Sequence, residues 1–177
     1  MCAAENVISD FGNMPLSMGF QERYIVGNTY SYLEDNNFIG SNYLLPFYEM
    51  ISEECREIFN AKYTDARTLT GMNCLMVVLM SLAKIGDSIM ILSSQSGGHA
   101  SVKPICERLG LKVSDVPYDF QNFDLDYEKL NHRLKEGQID YILLAPSDII
   151  SPLEVNRICL LYTSKEEIDF VGEVYSK

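Results

Sequence analysis

Short apolar runs alternate with segments of helical periodicity along most of this chain, and that alternation restricts it to one fold class. Ser88–Leu92 is a continuous apolar run, bounded by Gly86-Asp87 before it and Ser93-Ser94-Gln95 after it. Its length and bounds predict a buried parallel strand. Leu111–Val116 and Ile139–Ala145 read as further strands, the last ending at Pro146. Strands that alternate with helices predict an α/β fold, a parallel sheet covered by helices on its faces. Ligands of such sheets bind at the carboxyl ends of the strands. The loops expected there are Thr70–Asn73, Ser93–His99 and Pro146–Ser151.

The helices have clear starts and stops. From Asn42 to Phe59, Tyr43, Phe47, Ile51, Cys55 and Ile58 recur every three or four residues, with Glu49, Glu53, Glu54 and Arg56 on the other face. Asn60 suits the position just past its end. A second helix is expected from Gly71 to Ala83, apolar nearly all round and therefore buried, with Lys84 and Gly86 closing it. Pro104 fits the first turn of a third, which ends at Gly110. Asp126–Glu136 is the fourth, with Leu130 and Leu134 on one face and Gly137 past its end. Residues 1–40 lack periodicity and read as an arm.

Ahead of the second helix a β-like stretch, Ala66–Leu69, leads into Thr70-Gly71-Met72-Asn73-Cys74. A small residue and a glycine at such a turn leave amide donors free at a helix N-terminus. Free donors and the helix dipole together attract a phosphate. An ordinary strand-turn-helix connection is the other reading of these residues.

Composition excludes several classes of function. The 177 residues are 47% hydrophobic, enough for a core, and carry a formal net charge of −11. Nucleic-acid phosphates require a basic face, so no nucleic-acid partner is expected. No apolar run suffices to span a bilayer, so no membrane partner is expected. The start, Met1-Cys2-Ala3-Ala4-Glu5-Asn6, lacks the basic flank and apolar stretch of a secretion signal. Cys2, Cys55, Cys74, Cys106 and Cys159 are scattered without C-x-x-C spacing and read as reduced thiols of a cytoplasmic protein. With only His99 and His132 beside them, no metal site is expected.

Eight segments, in order, resemble the serine hydroxymethyltransferase group of pyridoxal-phosphate enzymes. Ser9-Asp10 followed by Pro15 is similar to the family's S-E-N-x-x-S-P, with Asp for Glu and Phe11 for Asn. Tyr32-Leu33-Glu34 resembles Y-A-E, and Phe38-Ile39-Gly40 resembles Y-Y-G. Glu57-Ile58-Phe59-Asn60-Ala61 is similar to the end of A-K-E-L-F-G-A, and Thr70-Gly71-Met72-Asn73 falls where the family has S-G-S-Q. Ile85-Gly86-Asp87-Ser88-Ile89 resembles P-G-D-T-V, and Gly97-Gly98-His99 resembles the end of H-G-G-H. Ser147 falls at the S of S-A-Y. The resemblance implies an incomplete three-layer α/β/α large domain of the fold type I (aspartate aminotransferase-like) scaffold over residues 41–158, preceded by the arm.

Roles follow from the resemblance, residue by residue. The cofactor would be pyridoxal 5'-phosphate, with Thr70, Gly71, Met72 and Asn73 at its phosphate. Met72 replaces a family serine, so one hydroxyl contact is lost. Asn73 reads equally as a first-turn polar residue. Ser96 stands where the family has a histidine that stacks on the ring, and it cannot stack. His99 resembles the second histidine of that motif; a histidine beside glycines also reads as a structural hydrogen-bonder. Ser147 would meet the phenolic oxygen of the cofactor, or else cap the turn after Pro146. Tyr32 and Glu34 match the acid/base region, which in the family reaches into the partner subunit's site; a solvated acidic loop is the other reading. Ser9 matches a residue that helps bind the substrate carboxylate, or else caps a turn.

The family's cofactor-bearing lysine, and the aspartate that pairs with the ring nitrogen, match no segment here. The expectation is an N-terminal part of an enzyme that acts on amino acids as a homodimer, inactive alone. A fragment of a transaldolase, threonine aldolase or aminotransferase is the alternative within the fold, and a non-catalytic dimerisation subunit the alternative outside catalysis. Cys159-Leu160-Leu161-Tyr162-Thr163-Ser164 is also what a transposon-end adapter of sequencing-library preparation encodes. That predicts a reading frame interrupted near Ile158 and an artefactual tail over 159–177; an ordinary strand over Ile158–Thr163 is the other reading.

Overall fold

The computed structural model describes residues 7–19, 22, 41–137, 139–162 and 169–172. The chain divides into two compact units, residues 1–67 and 68–177.

In the first unit, helix α1 (Asp10–Ser17) starts at Ser9, whose side chain accepts the Gly12 amide, and none of its residues is buried. Helix α2 (Ser41–Phe59) ends at Asn60, whose φ of 50° is the left-handed geometry expected past a helix end. Thr64 Oγ1 donates back to Ser52 Oγ at 3.1 Å. No strand forms over Ala66–Leu69, which corrects the expectation. Local bonds explain the difference. The Arg67 amide and Nε donate to Asp65 Oδ1 at 3.0 and 2.8 Å, and the Leu69 amide donates to Asn73 Oδ1, so these groups bond within the segment rather than in a ladder.

The second unit contains the sheet. Its elements are α3 (Gly71–Leu82), β1 (Ser88–Ile91), α4 (Val102–Arg108), β2 (Lys112–Asp115), the hairpin β3 (Tyr118–Asp119) and β4 (Asp124–Leu125), α5 (Tyr127–Glu136), β5 (Tyr141–Leu144), α6 (Val155–Tyr162) and β6 (Asp169–Gly172). The sheet order is β2-β1-β5-β6, every pair parallel, with Ile89 opposite Val113 on one side and Tyr141 on the other. This is the α/β sheet the alternation requires.

Strand alternation sorts the core into two layers. Met90, Leu92, Ile142 and Leu144 face Leu130, Leu134 and Ile158 from α5 and α6. Ile89, Ile91 and Leu143 face Leu79 from α3 and Val102 and Cys106 from α4. The expected three-layer α/β/α arrangement is therefore present. Helix α3 differs from expectation in its burial. Only Leu79 is buried and Leu75 packs beside it, because one stripe of a helix meets a sheet; Met76, Val77 and Met80 are exposed. Residues 155–162 are helical rather than extended, and Ile158 is fully buried, with Cys159 and Leu161 packed against the same cluster. The hairpin carries no turn signal of the two-residue kind. Asp119 holds it by accepting the Gln121 and Asn122 amides, and Phe123 takes a φ of 52°.

Two buried acids of high pKa lie in these layers. Burial pushes the Tyr127 hydroxyl up from 10.0 to about 12, and the Cys106 thiol up from 9.0 to about 11. The folded chain then keeps protons that the unfolded chain loses first. Unfolding free energy from urea melts is expected to fall as pH rises from 9.0 to about 12. Tyr127→Phe is expected to lessen that slope above 10.0 and to remove it between about 11, where the Cys106 contribution ends, and about 12; an unchanged slope would show that Tyr127 is not its source.

Candidate functional site

Two loops leave the carboxyl ends of the central strands, and they are bonded to each other. After β1 the chain makes a short 3-10 turn, Ser94–Ser96, capped by Ser93, and reaches Gly97 with a φ of 85°. The Gly97 carbonyl accepts the Ser147 and Asp148 amides at 2.8 and 2.9 Å. Gly98 forms a bridge to Pro146, and the His99 amide donates to the Ala145 carbonyl at 2.9 Å. Both glycines are required by contact. A Cβ on Gly98 would overlap the Leu92 carbonyl outright, and one on Gly97 would lie 2.7 Å from the Asp148 carbonyl oxygen. The Gly-Gly pair is thus a crossing point of two chain segments.

His99 and Ser147 stand on either side of that crossing, both exposed. His99 Nδ1 accepts the Ser101 amide at 3.2 Å, which places the proton of a neutral ring on Nε2. Ser96 is turned inward. It is buried, its amide donates to Ser93 Oγ, and the two hydroxyls pair at 3.0 Å. Ser93 and Ser96 line a groove of about 750 Å³ with Asp115, Tyr118, Lys129 and Arg133.

Thr70 begins α3 in extended geometry, and its Oγ1 accepts the Asn73 amide at 3.1 Å. The threonine hydroxyl proton remains available for donation. Asn73 Oδ1 is taken by the Leu69 amide, which leaves its side-chain NH₂ as donor. Among the described residues the amides of Gly71 and Met72 donate to no partner, as the first residues of a helix cannot within it. A Cβ on Gly71 would meet no described residue within 4 Å.

The direction of α3 follows from its other end. Tyr141 Oη, at the start of β5, donates to the Leu82 carbonyl at 2.7 Å. Twelve residues make α3 about 18 Å long, and Leu75 packs in the cluster holding Ile91 and Leu143. Its N-terminus therefore lies toward the carboxyl ends of the strands, the side to which Gly97–Gly98 and Ser147 belong.

The remaining sequence-derived residues lie elsewhere. Tyr32 and Glu34 fall outside the described residues. Ser9 belongs to the first unit, as the cap of α1. The Gly97 carbonyl and Gly98 crossing were missed as functional elements. Their signal is the Gly-Gly pair itself, which reads in the sequence as part of a motif and not as a contact.

No family model matches the chain. It is similar to serine hydroxymethyltransferases over most of its length. That of Pyrococcus furiosus is 29% identical over 161 residues, 89% of this chain and 36% of the relative. That of Methanocella arvoryzae is 27% identical over 174 residues, 97% of this chain and 39% of the relative. The chain thus spans well under half the length of the curated relatives it matches. Among solved structures, L-threonine transaldolase from Pseudomonas fluorescens aligns with a TM-score of 0.69 and 13% identity, over 84% of this chain and 32% of that one. The resemblance read from the motifs holds, and the pyridoxal-phosphate-dependent transferase fold it implied is the fold found.

Loss of the cap at α3 gives a direct check of this end of the molecule. Thr70→Ala is expected to lower unfolding free energy by about 1 kcal/mol, read from the midpoint of a urea melt. An unchanged midpoint would show that the Thr70 hydroxyl does not hold the helix start.

Proposed function

We propose that the chain builds one half of a pyridoxal-phosphate site in an enzyme that acts on amino acids as serine hydroxymethyltransferases do, and that it does not turn over substrate alone. One observation carries this reading: two amides without a partner among the described residues, on Gly71 and Met72, open α3 on the carboxyl side of the sheet. The chain in which they occur is similar to serine hydroxymethyltransferases over 89% of its length.

The donor set fits a phosphate ester. The Gly71 and Met72 amides, the Thr70 hydroxyl and the Asn73 side-chain NH₂ are donors, and the helix dipole adds positive potential. Met72 offers only its amide. When bound, pyridoxal phosphate supplies an electron sink for negative charge that develops beside the amino-acid nitrogen. His99 presents Nε2–H at the rim, and Ser147 presents a hydroxyl. In this reading His99 covers the cofactor ring and Ser147 bonds its phenolic oxygen. Glu34 moves a proton, with Tyr32 beside it, and Ser9 binds the substrate carboxylate; these three act in a homodimer of the parent enzyme. The lysine that holds the cofactor, and the acid that pairs with its ring nitrogen, come from sequence outside residues 1–177.

A second reading keeps the scaffold and changes the reaction. Ser96, where the resemblance expects a stacking histidine, is a buried serine paired to Ser93. That departure favours a transaldolase, aldolase or aminotransferase as the parent.

The phosphate contact is tested with Gly71→Pro. Proline is tolerated at the first position of a helix, and extended Thr70 suits the residue before it, so the variant removes one donor and keeps α3. Pyridoxal phosphate titrated into the chain and followed by absorbance is expected to bind weakly and reversibly. Binding is expected to weaken about tenfold in Gly71→Pro, and by more when pyridoxal replaces its phosphate ester. Equal binding in these comparisons would remove the phosphate cradle. A complex that survives dialysis would remove the claim that the holding lysine lies elsewhere.

A further inference from the structure

We infer that Gly97 and Gly98 are positioning residues: they weld the loop after β1 to the loop after β5, so that the His99 imidazole and the Ser147 hydroxyl are presented as one rigid pair. The inference rests on the proposed function for what the pair meets, and on the structure alone for the weld.

Several backbone bonds converge at this crossing. The Gly98 amide donates to the Ser93 carbonyl at 2.8 Å, which closes the loop after β1 upon itself. The Gly97 carbonyl then accepts from both Ser147 and Asp148, and the His99 amide donates to Ala145. Each bond runs between backbone groups, so the geometry does not depend on rotamers. His99 follows Gly98 directly, and Ser147 follows Pro146, the bridge partner of Gly98. The spacing of the His99 and Ser147 backbones is therefore set by the Gly97–Gly98 crossing. Side chains at 97 and 98 are excluded by contact with the Asp148 and Leu92 carbonyls, and Gly97 by its φ of 85° as well. Helix α3 reaches the same end of the sheet without sharing any of these bonds. The phosphate end and the ring end of the site are thus held independently.

Amide hydrogen exchange on the whole chain tests the weld. In Gly98→Ala the Ser147 and Asp148 amides are expected to exchange about ten- to a hundredfold faster, while the Met90 and Ile142 amides inside β1 and β5 keep their protection. Gly97→Ala is the second variant, with the same local signature expected. In both, the visible circular dichroism of added pyridoxal phosphate is expected to be lost while its phosphate-dependent binding persists, because orientation and not the cradle is disturbed. Protection unchanged at Ser147 and Asp148 in both variants would overturn the inference. So would a proportionate loss at Met90 and Ile142 in both, which marks a merely structural role. Dichroism retained despite a loosened weld would also overturn it. A chain that shows the local loss and binds no pyridoxal phosphate in any form leaves the weld standing and removes the proposed function instead.

Discussion

Burial of β1 and β5 on both faces is the constraint on which the rest of the second unit depends. Ile89, Met90, Ile91, Leu92, Ile142, Leu143 and Leu144 are all nearly inaccessible to water, and successive residues point into opposite layers. Each such side chain contributes about 1.5–3 kcal/mol relative to exposure. A one-residue slip would exchange the contents of the two layers, so the register is fixed by packing on both sides at once. The loops that leave these strands start from rigid ends.

That rigidity makes the rim useful. Parallel strands direct all their carboxyl ends to one side, and the connections emerging there lie close together. In this chain two of the connections are further tied by the Gly97 carbonyl and the Gly98 contact, while α3 brings free amides to the same side from a different layer. The groups presented are donors: amides and a hydroxyl at the start of α3, an imidazole N–H and a serine hydroxyl beside the glycine crossing. The first unit contributes its own helices and is held by different, local bonds such as Asp65 with Arg67.

Much of this was legible from residue pattern. Leu130 and Leu134 recur at helical spacing behind Asp126, and Asp126 does cap α5 by accepting the Lys129 amide. Asn60 and Gly110 read as helix ends, and both adopt positive φ. The failures have physical causes. Ala66–Leu69 has strand-like composition, but Asp65 and Asn73 capture its amides locally. The apolar circumference of α3 was taken for complete burial, although one stripe is all a sheet can cover. Ile158–Thr163 has the β-propensity of a strand, yet Ile158, Cys159 and Leu161 serve the core from a helix. The Tyr118–Leu125 hairpin depends on Asp119 side-chain bonds that no two-residue turn motif signals.

The sequence by itself determined the fold class, the approximate limits of α2 to α5 and the family likeness, because periodicity, capping and motif order are local properties carried along the chain. Tertiary structure alone decided which residues share the rim. His99 and Ser147 are 48 positions apart, and what joins them is a glycine Cα pressed against a carbonyl and a second carbonyl shared by two amides. Contacts between backbone atoms carry no side-chain pattern to read, so only the folded chain shows that a pair of glycines is where two segments cross.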